Sequence, residues 1–196
     1  MLSQPVKMYP TLGIIIKKQD KGENDKIVTL LTKEYGKLDL IARGVRKNKS
    51  KLASHTELFS LSEIGFVLGK GKSVLVSACE INVFVCIKSN SEKLKTADCI
   101  ADLVCKYILQ DNGDENIFNL VNQAFSYMNE KEFSSLEMEY FLRYFEFKFL
   151  ATLGYQPQEK DITFFFSPEN KVINRKKLRD IRLILSRYFK NIFNEV

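Results

Sequence analysis

The chain changes its hydrophobic period once. Up to about residue 80 apolar residues alternate with polar ones or form short β-branched blocks. Leu12–Lys18, Lys26–Thr32, Lys37–Ala42, Leu58–Leu68 and Ser73–Cys79 therefore read as strands. In the third, Leu38, Leu40 and Ala42 share one face and Asp39 and Ile41 the other. Turn chemistry separates the blocks: Lys21-Gly22-Glu23-Asn24-Asp25, then Tyr35-Gly36, then Gly69-Lys70-Gly71. Five short strands in this space predict a small closed barrel, for which the OB-fold is the common five-stranded solution.

From about Ser91 the period becomes that of a helix. Ala97, Ile100, Ala101, Val104 and Ile108 make one stripe; Ile117, Leu120, Val121, Ala124 and Met128 make a second beyond the break at Asp111-Asn112-Gly113-Asp114. A third helix opens on Ser134-Ser135-Leu136-Glu137, which has capping-box spacing, and stops at Gly154 with Pro157 beyond. Its aromatics leave only Glu139, Arg143 and Glu146 as a polar face, which predicts the centre of a bundle. An aromatic ladder for stacking bases is the sharper alternative, and the glutamates weigh against it. Ile162–Phe166 and Lys171–Ile173 predict a short hairpin, and a last helix runs from about Asn174 on Leu178, Ile181, Leu185, Tyr188 and Ile192. The expectation is an α+β chain: an N-terminal five-stranded OB-fold barrel over 1–82, then an α-helical domain over 83–196 with a hairpin near 162–173.

Composition agrees with a folded domain: 196 residues, 45% hydrophobic and 28% charged. No apolar run approaches the ~20 residues a bilayer needs. Residues 1–10 lack the apolar core of a signal peptide, so a cytoplasmic protein is expected. Cys79, Cys86, Cys99 and Cys105 fit no zinc spacing and have apolar neighbours, so buried, reduced thiols are expected. His55, the single histidine, sits in a polar and basic run, where a solvated side chain is expected.

Charge changes the picture more. The net charge is +6, unevenly spread. Residues 1–80 hold 14 Lys or Arg against 8 Asp or Glu. Residues 81–173 are net acidic, with 9 basic and 14 acidic residues, and 174–193 hold 7 basic residues against Asp180 alone. The densest run, Ile41 to His55, contains Arg43, Arg46, Lys47, Lys49 and Lys51 and no acid. A solvated loop is one reading. Clustered cations that release counterions from phosphates are the other.

Motifs for catalysis fail on spacing. Gly69-Lys70-Gly71-Lys72-Ser73 resembles the end of a phosphate-binding loop, but Phe66 stands where the first glycine belongs and a strand follows instead of a helix. Asp20, Gly22, Asn24 and Asp25 are too short a series for a calcium loop. No nucleophile–histidine pairing appears, and nothing in the chain calls for an enzyme or a cofactor.

An ordered set of motifs is similar to the bacterial RecO family of recombination mediators. It comprises Gly13-Ile14-Ile15-Ile16, then Gly22-Glu23-Asn24-Asp25-Lys26-Ile27-Val28-Thr29-Leu30-Leu31-Thr32, then Gly36-Lys37. Ala42-Arg43-Gly44-Val45-Arg46, Lys49-Ser50-Lys51-Leu52 and Glu57-Leu58-Phe59 follow. The second stretch is Tyr144 to Leu150 running into Leu153-Gly154-Tyr155-Gln156-Pro157. The resemblance implies an OB-fold followed by a helical domain. It implies binding of single- and double-stranded DNA, annealing of complementary strands, and partnership with RecR and the C-terminal tail of the single-stranded-DNA-binding protein. RecA loading follows indirectly, in the cytoplasm at the nucleoid and away from membranes. The chain departs from the family pattern in one place: Gln158-Glu159-Lys160 stands where many members begin a four-cysteine zinc module, so no zinc is expected.

The residues expected to meet DNA backbone are Arg43, Arg46, Lys47, Lys49 and Lys51, with Lys17, Lys18 and Lys72 beside them. Arg175, Arg179 and Arg182 are expected to rim a pocket for the acidic, apolar tail of the single-strand-binding protein. The rival function is a generic OB-fold module for nucleic acid, RNA included, with the helical part as scaffold.

Overall fold

A computed structural model describes residues 7–45, 56–69, 71–110, 113–155 and 173–193. Five strands come first: β1 (Met8–Lys21), β2 (Asp25–Thr32), β3 (Gly36–Ala42), β4 (Leu61–Val67) and β5 (Ser73–Asn82). Helices follow: α1 (Val85–Ser89), α2 (Ser91–Tyr107), α3 (Glu115–Glu130), α4 (Ser135–Thr152) and α5 (Arg175–Phe193). The fold is α+β, an OB-fold barrel followed by helices. The strands close in the order β1-β2-β3-β5-β4, antiparallel except where β3 meets β5 in parallel. The hairpin expected near 162–173 lies outside the described residues except for Ile173.

β1 explains how the barrel joins the helices. Ile14, Ile15 and Ile16 are all buried, although successive strand residues point to opposite faces. Ile15 packs inside the barrel with Val28, Leu30, Leu40, Ile64, Phe66 and Leu75. Ile14 and Ile16 belong to the other core, with Leu31, Phe59 and the helices. β1 is thus a wall shared by two cores, and a register shift between Ile15 and Lys17 bends it there.

Two phenylalanines fasten this wall to α3. Phe59 and Phe84 hold left-handed backbones at φ 56° and 44°, and both are fully buried. Each packs edge-to-face on Phe125, with ring centroids 5.6 and 5.8 Å apart. A non-glycine residue in this region costs on the order of 1 kcal/mol or more, and aromatic burial on this scale offsets it.

Side chains cap α2, α3 and α4 as their sequences require. Asn90 accepts from Glu92 and Lys93 to start α2, and Asp114 accepts from Asn116 and Ile117 to start α3. Ser134 and Glu137 complete a capping box on α4. The cysteines correct the expectation of burial. Cys79, Cys86 and Cys99 are exposed and Cys105 is half-buried, all as free thiols. Cys99 lies one residue before the buried Ile100, and one residue is 100° of helix turn, enough to move it outside.

Candidate nucleic-acid interface

β3 ends at Ala42 and delivers Arg43 to solvent. The turn is pinned on either side of it. Gly44 adopts φ 63° and its N–H donates to Asp25 at 2.8 Å, while Val45 is buried in the barrel core. The chain is described again from Thr56, which is buried and whose carbonyl accepts from the Lys18 ammonium at 2.8 Å. Arg43 and Thr56 therefore hold the two ends of the acid-free run on the barrel. Arg46, Lys47, Lys49, Lys51 and His55 lie outside the described residues.

The three flanking lysines differ in what they can offer. Lys17 is exposed on β1 beside the register shift. Lys18 is half-buried and bonded to the Thr56 carbonyl. Burial, helped by the nearby Lys26 and Lys88, holds its ammonium below the usual lysine range despite Glu57 and Glu80. Lys72 is 2.8 Å from Asp39. Asp39 also accepts from Thr29 at 2.7 Å and from Gln110 at 2.9 Å. Burial alone raises the Asp39 carboxyl, but those donors outweigh it and hold the group below the usual carboxylate range. Lys72 thus meets a ligand only in competition with a carboxylate that is already ionised.

The C-terminal residues singled out from sequence come together. Arg175, Arg179 and Arg182 of α5 border one pocket of about 370 Å³ with Ser135, Leu136 and Glu139 of α4. All three arginines are exposed.

The next flank of α4 carries a site that the sequence did not signal as such. Tyr127, Phe133, Tyr140, Phe141, Tyr144 and Phe145 line an apolar pocket of about 590 Å³ between α3 and α4. Tyr127 stacks on Phe141 at 5.7 Å, and Phe133 meets both rings. Lys131 and Lys148 stand at its edge. Its two glutamates are already engaged, Glu132 by the buried Lys93 at 3.3 Å and Glu137 by the Ser134 cap. The buried Lys177 ammonium lies 5.4 Å from the centre of the Tyr140 ring, which lines this pocket. The α4 aromatics were visible in the sequence as an excess of apolar positions. Their concavity was not, because Tyr127 and Phe133 reach it from another segment.

Among the described residues no helix is long and apolar enough to cross a membrane. No group of three or more His, Cys, Asp or Glu among them is placed to hold a metal ion.

Comparison with known proteins matches both halves of the chain. Residues 7–83 match the family described as Recombination protein O N terminal, and 89–161 match Recombination protein O C terminal. A DNA repair protein RecO from Acetivibrio thermocellus is 35% identical over 149 residues, covering 75% of this chain and 57% of its own. Its namesake in Dehalococcoides mccartyi is 30% identical over 172 residues, covering 83% of this chain and 66% of its own. In Halalkalibacterium halodurans the figures are 32% over 146 residues, 74% and 56%. The chain therefore spans between about half and two thirds of the length of these relatives.

Proposed function

The chain belongs to the RecO family of DNA repair proteins, and from that premise we propose that it is a non-enzymatic recombination mediator. It binds single- and double-stranded DNA, anneals complementary strands and helps load RecA onto DNA coated by single-strand-binding protein. The observation that carries this is the closed OB-fold barrel with Arg43, the first cation of the acid-free run 41–55, exposed at the end of β3.

The physics of annealing fits such a surface. Two strands repel through their phosphates. A cationic protein surface lowers that repulsion and raises the local strand concentration, and base pairing then supplies the free energy. Arg43, Arg46, Lys47, Lys49 and Lys51 carry the backbone contacts, with Lys17 beside them. Lys18 and Lys72 contribute less, because one is bonded to Thr56 and the other to Asp39. The partners are RecR and the acidic tail of the single-strand-binding protein, acting in the cytoplasm at the nucleoid. The tail's apolar end suits the aromatic pocket between α3 and α4, and Lys131 and Lys148 suit its carboxylates.

The test is the annealing rate of two complementary oligonucleotides coated with single-strand-binding protein, with and without this protein. Acceleration is expected. DNA affinity should fall with salt at a slope of about 0.7 per phosphate contacted on single strands. Arg43→Glu with Arg46→Glu should weaken DNA binding at an unchanged melting temperature. A flat salt response, or a preference for structured RNA at equal salt, would return the chain to a generic nucleic-acid module.

A further inference from the structure

The densest described cationic surface lies away from the barrel. α5 packs against α4 and stacks Phe189 and Phe193 on Tyr107 at the end of α2, with centroids 5.1 and 4.2 Å apart. Leu178, Ile181, Leu185 and Phe189 fill its buried side. On the flank of that side, about a quarter turn round the helix, Arg175, Arg179, Arg182, Ser186 and Lys190 are exposed at spacings of four, three, four and four, which puts them in one row along the helix. None of these four cations is within 4 Å of a carboxylate among the described residues. Asp180, the helix's one acid, is off the row and half-buried.

We propose that this row is a second nucleic-acid backbone surface, so that one chain holds two strands at once. The inference rests on the DNA-binding function proposed above and says where the second strand goes. Its form fits a phosphate backbone better than an acidic peptide. The row from Arg175 to Lys190 is about 22 Å long, enough to follow roughly six phosphates at duplex spacing. It is straight, and the pocket beside it offers one apolar side chain, Leu136, where a peptide anchor needs a desolvated cavity. Glu139 closes the α4 side of that pocket, so the backbone track runs on the solvent side of the arginines. Arginine suits this role, because its fork can hold one phosphate through two hydrogen bonds. The arginines read from sequence as a tail-binding rim thus become strand-binding residues, and the aromatic pocket keeps the tail.

The experiment counts strands. A short fluorescent oligothymidylate is titrated into the whole chain at low salt, and annealing of complementary oligonucleotides is timed in parallel. The wild type should take up two strands per chain. Arg175→Gln/Arg179→Gln/Arg182→Gln should take up one, anneal at least tenfold more slowly and lose about 2 from the salt slope. Arg182 also acts on the buried Glu146, so a second variant, Arg179→Gln/Lys190→Gln, spares it and should show a smaller loss of the same kind at an unchanged melting temperature. Arginine-to-lysine replacement should restore most of the second-strand uptake. Two strands and full annealing in both glutamine variants would overturn the proposal, and a selective loss of affinity for an acidic tail peptide would assign the arginines to the tail instead. A wild type that binds one strand overturns the second surface alone. A wild type that binds none overturns the DNA function with it.

Discussion

Arg143 and Glu146 show how far one residue's surroundings can depart from its sequence position. Their spacing on α4 reads as a polar face turned to water. In the structure they form a two-pronged pair, 2.6 and 2.7 Å from one guanidinium nitrogen to the two carboxylate oxygens, with side chains only 15% and 12% exposed. Burial raises the Glu146 carboxyl above the usual range, although Arg143 and Arg182 pull the other way. The folded chain therefore holds this proton more tightly than the unfolded chain. The group's contribution to stability is fully present below the ordinary glutamate pKa and declines as pH rises through the raised one. Removing the two partners should have unequal effects. Arg143→Met strands a buried carboxylate and should cost roughly 3 kcal/mol at neutral pH. Glu146→Gln keeps an acceptor for Arg143 without the charge, so it should be at least as stable as the wild type at neutral pH. Glu146→Gln and the wild type should converge as the pH falls below the ordinary glutamate range. Urea denaturation of both variants across pH measures each outcome.

At the scale of elements, legibility follows the strength of the local signal. β3 was readable because alternate residues face the barrel core, and Leu38, Leu40 and Ala42 are all buried. β1 extends beyond the predicted Leu12–Lys18 at both ends, because Met8, Pro10 and residues 19–21 are exposed and carry no apolar alternation. The one-turn helix α1 gave no period at all. The predicted stripe of α2 matches its buried face, since Ala97, Ile100, Ala101, Val104 and Ile108 are all buried. A run of consecutive cations is plain in the sequence, whereas a concavity that distant segments build, such as the aromatic pocket, is not. Asp39, which ties Lys72 and Gln110 together across the barrel and the α2–α3 connection, reads in the sequence only as a residue of the outer strand face. The capping box of α4 is purely local, and its Ser-x-x-Glu spacing forms the predicted bonds. Ser134→Ala should lower stability by about 1 kcal/mol, seen as a lower urea midpoint at unchanged slope. Backbone and side-chain hydrogen bonds from Ser134 hold Glu137 below the usual range. The cap's carboxylate therefore contributes above the ordinary glutamate pKa and is lost as pH falls through the lowered one.

For the whole molecule, the change of period near residue 82 marks a change of architecture, but the core does not stop there. Ile14, Ile16, Leu31 and Phe59 of the barrel belong to the same apolar cluster as the helices. Polar contacts cross at several places: Lys37 donates to the Cys105 carbonyl, Lys33 meets Glu115 at 3.2 Å, and Lys88 at the end of α1 meets Glu57 at 3.8 Å. Gly113 lies so close to the Glu34 carbonyl that a side chain there would force the α2–α3 connection off the β2–β3 turn. We therefore expect residues 1–82 and 83–196 to fold as one cooperative unit. Two surfaces on such a unit keep a fixed separation, which is what holding two strands beside each other requires. A fragment of residues 1–82 would expose Ile14, Ile16, Leu31 and Phe59 together, a patch that favours aggregation over folding. Expressed alone, it should be insoluble or lack strand circular dichroism. The whole chain should unfold in one transition, with backbone and tyrosine signals moving together. A soluble barrel fragment with native dichroism, or two separated transitions in the whole chain, would show instead that the barrel stands alone and that its spacing from α5 is free to vary.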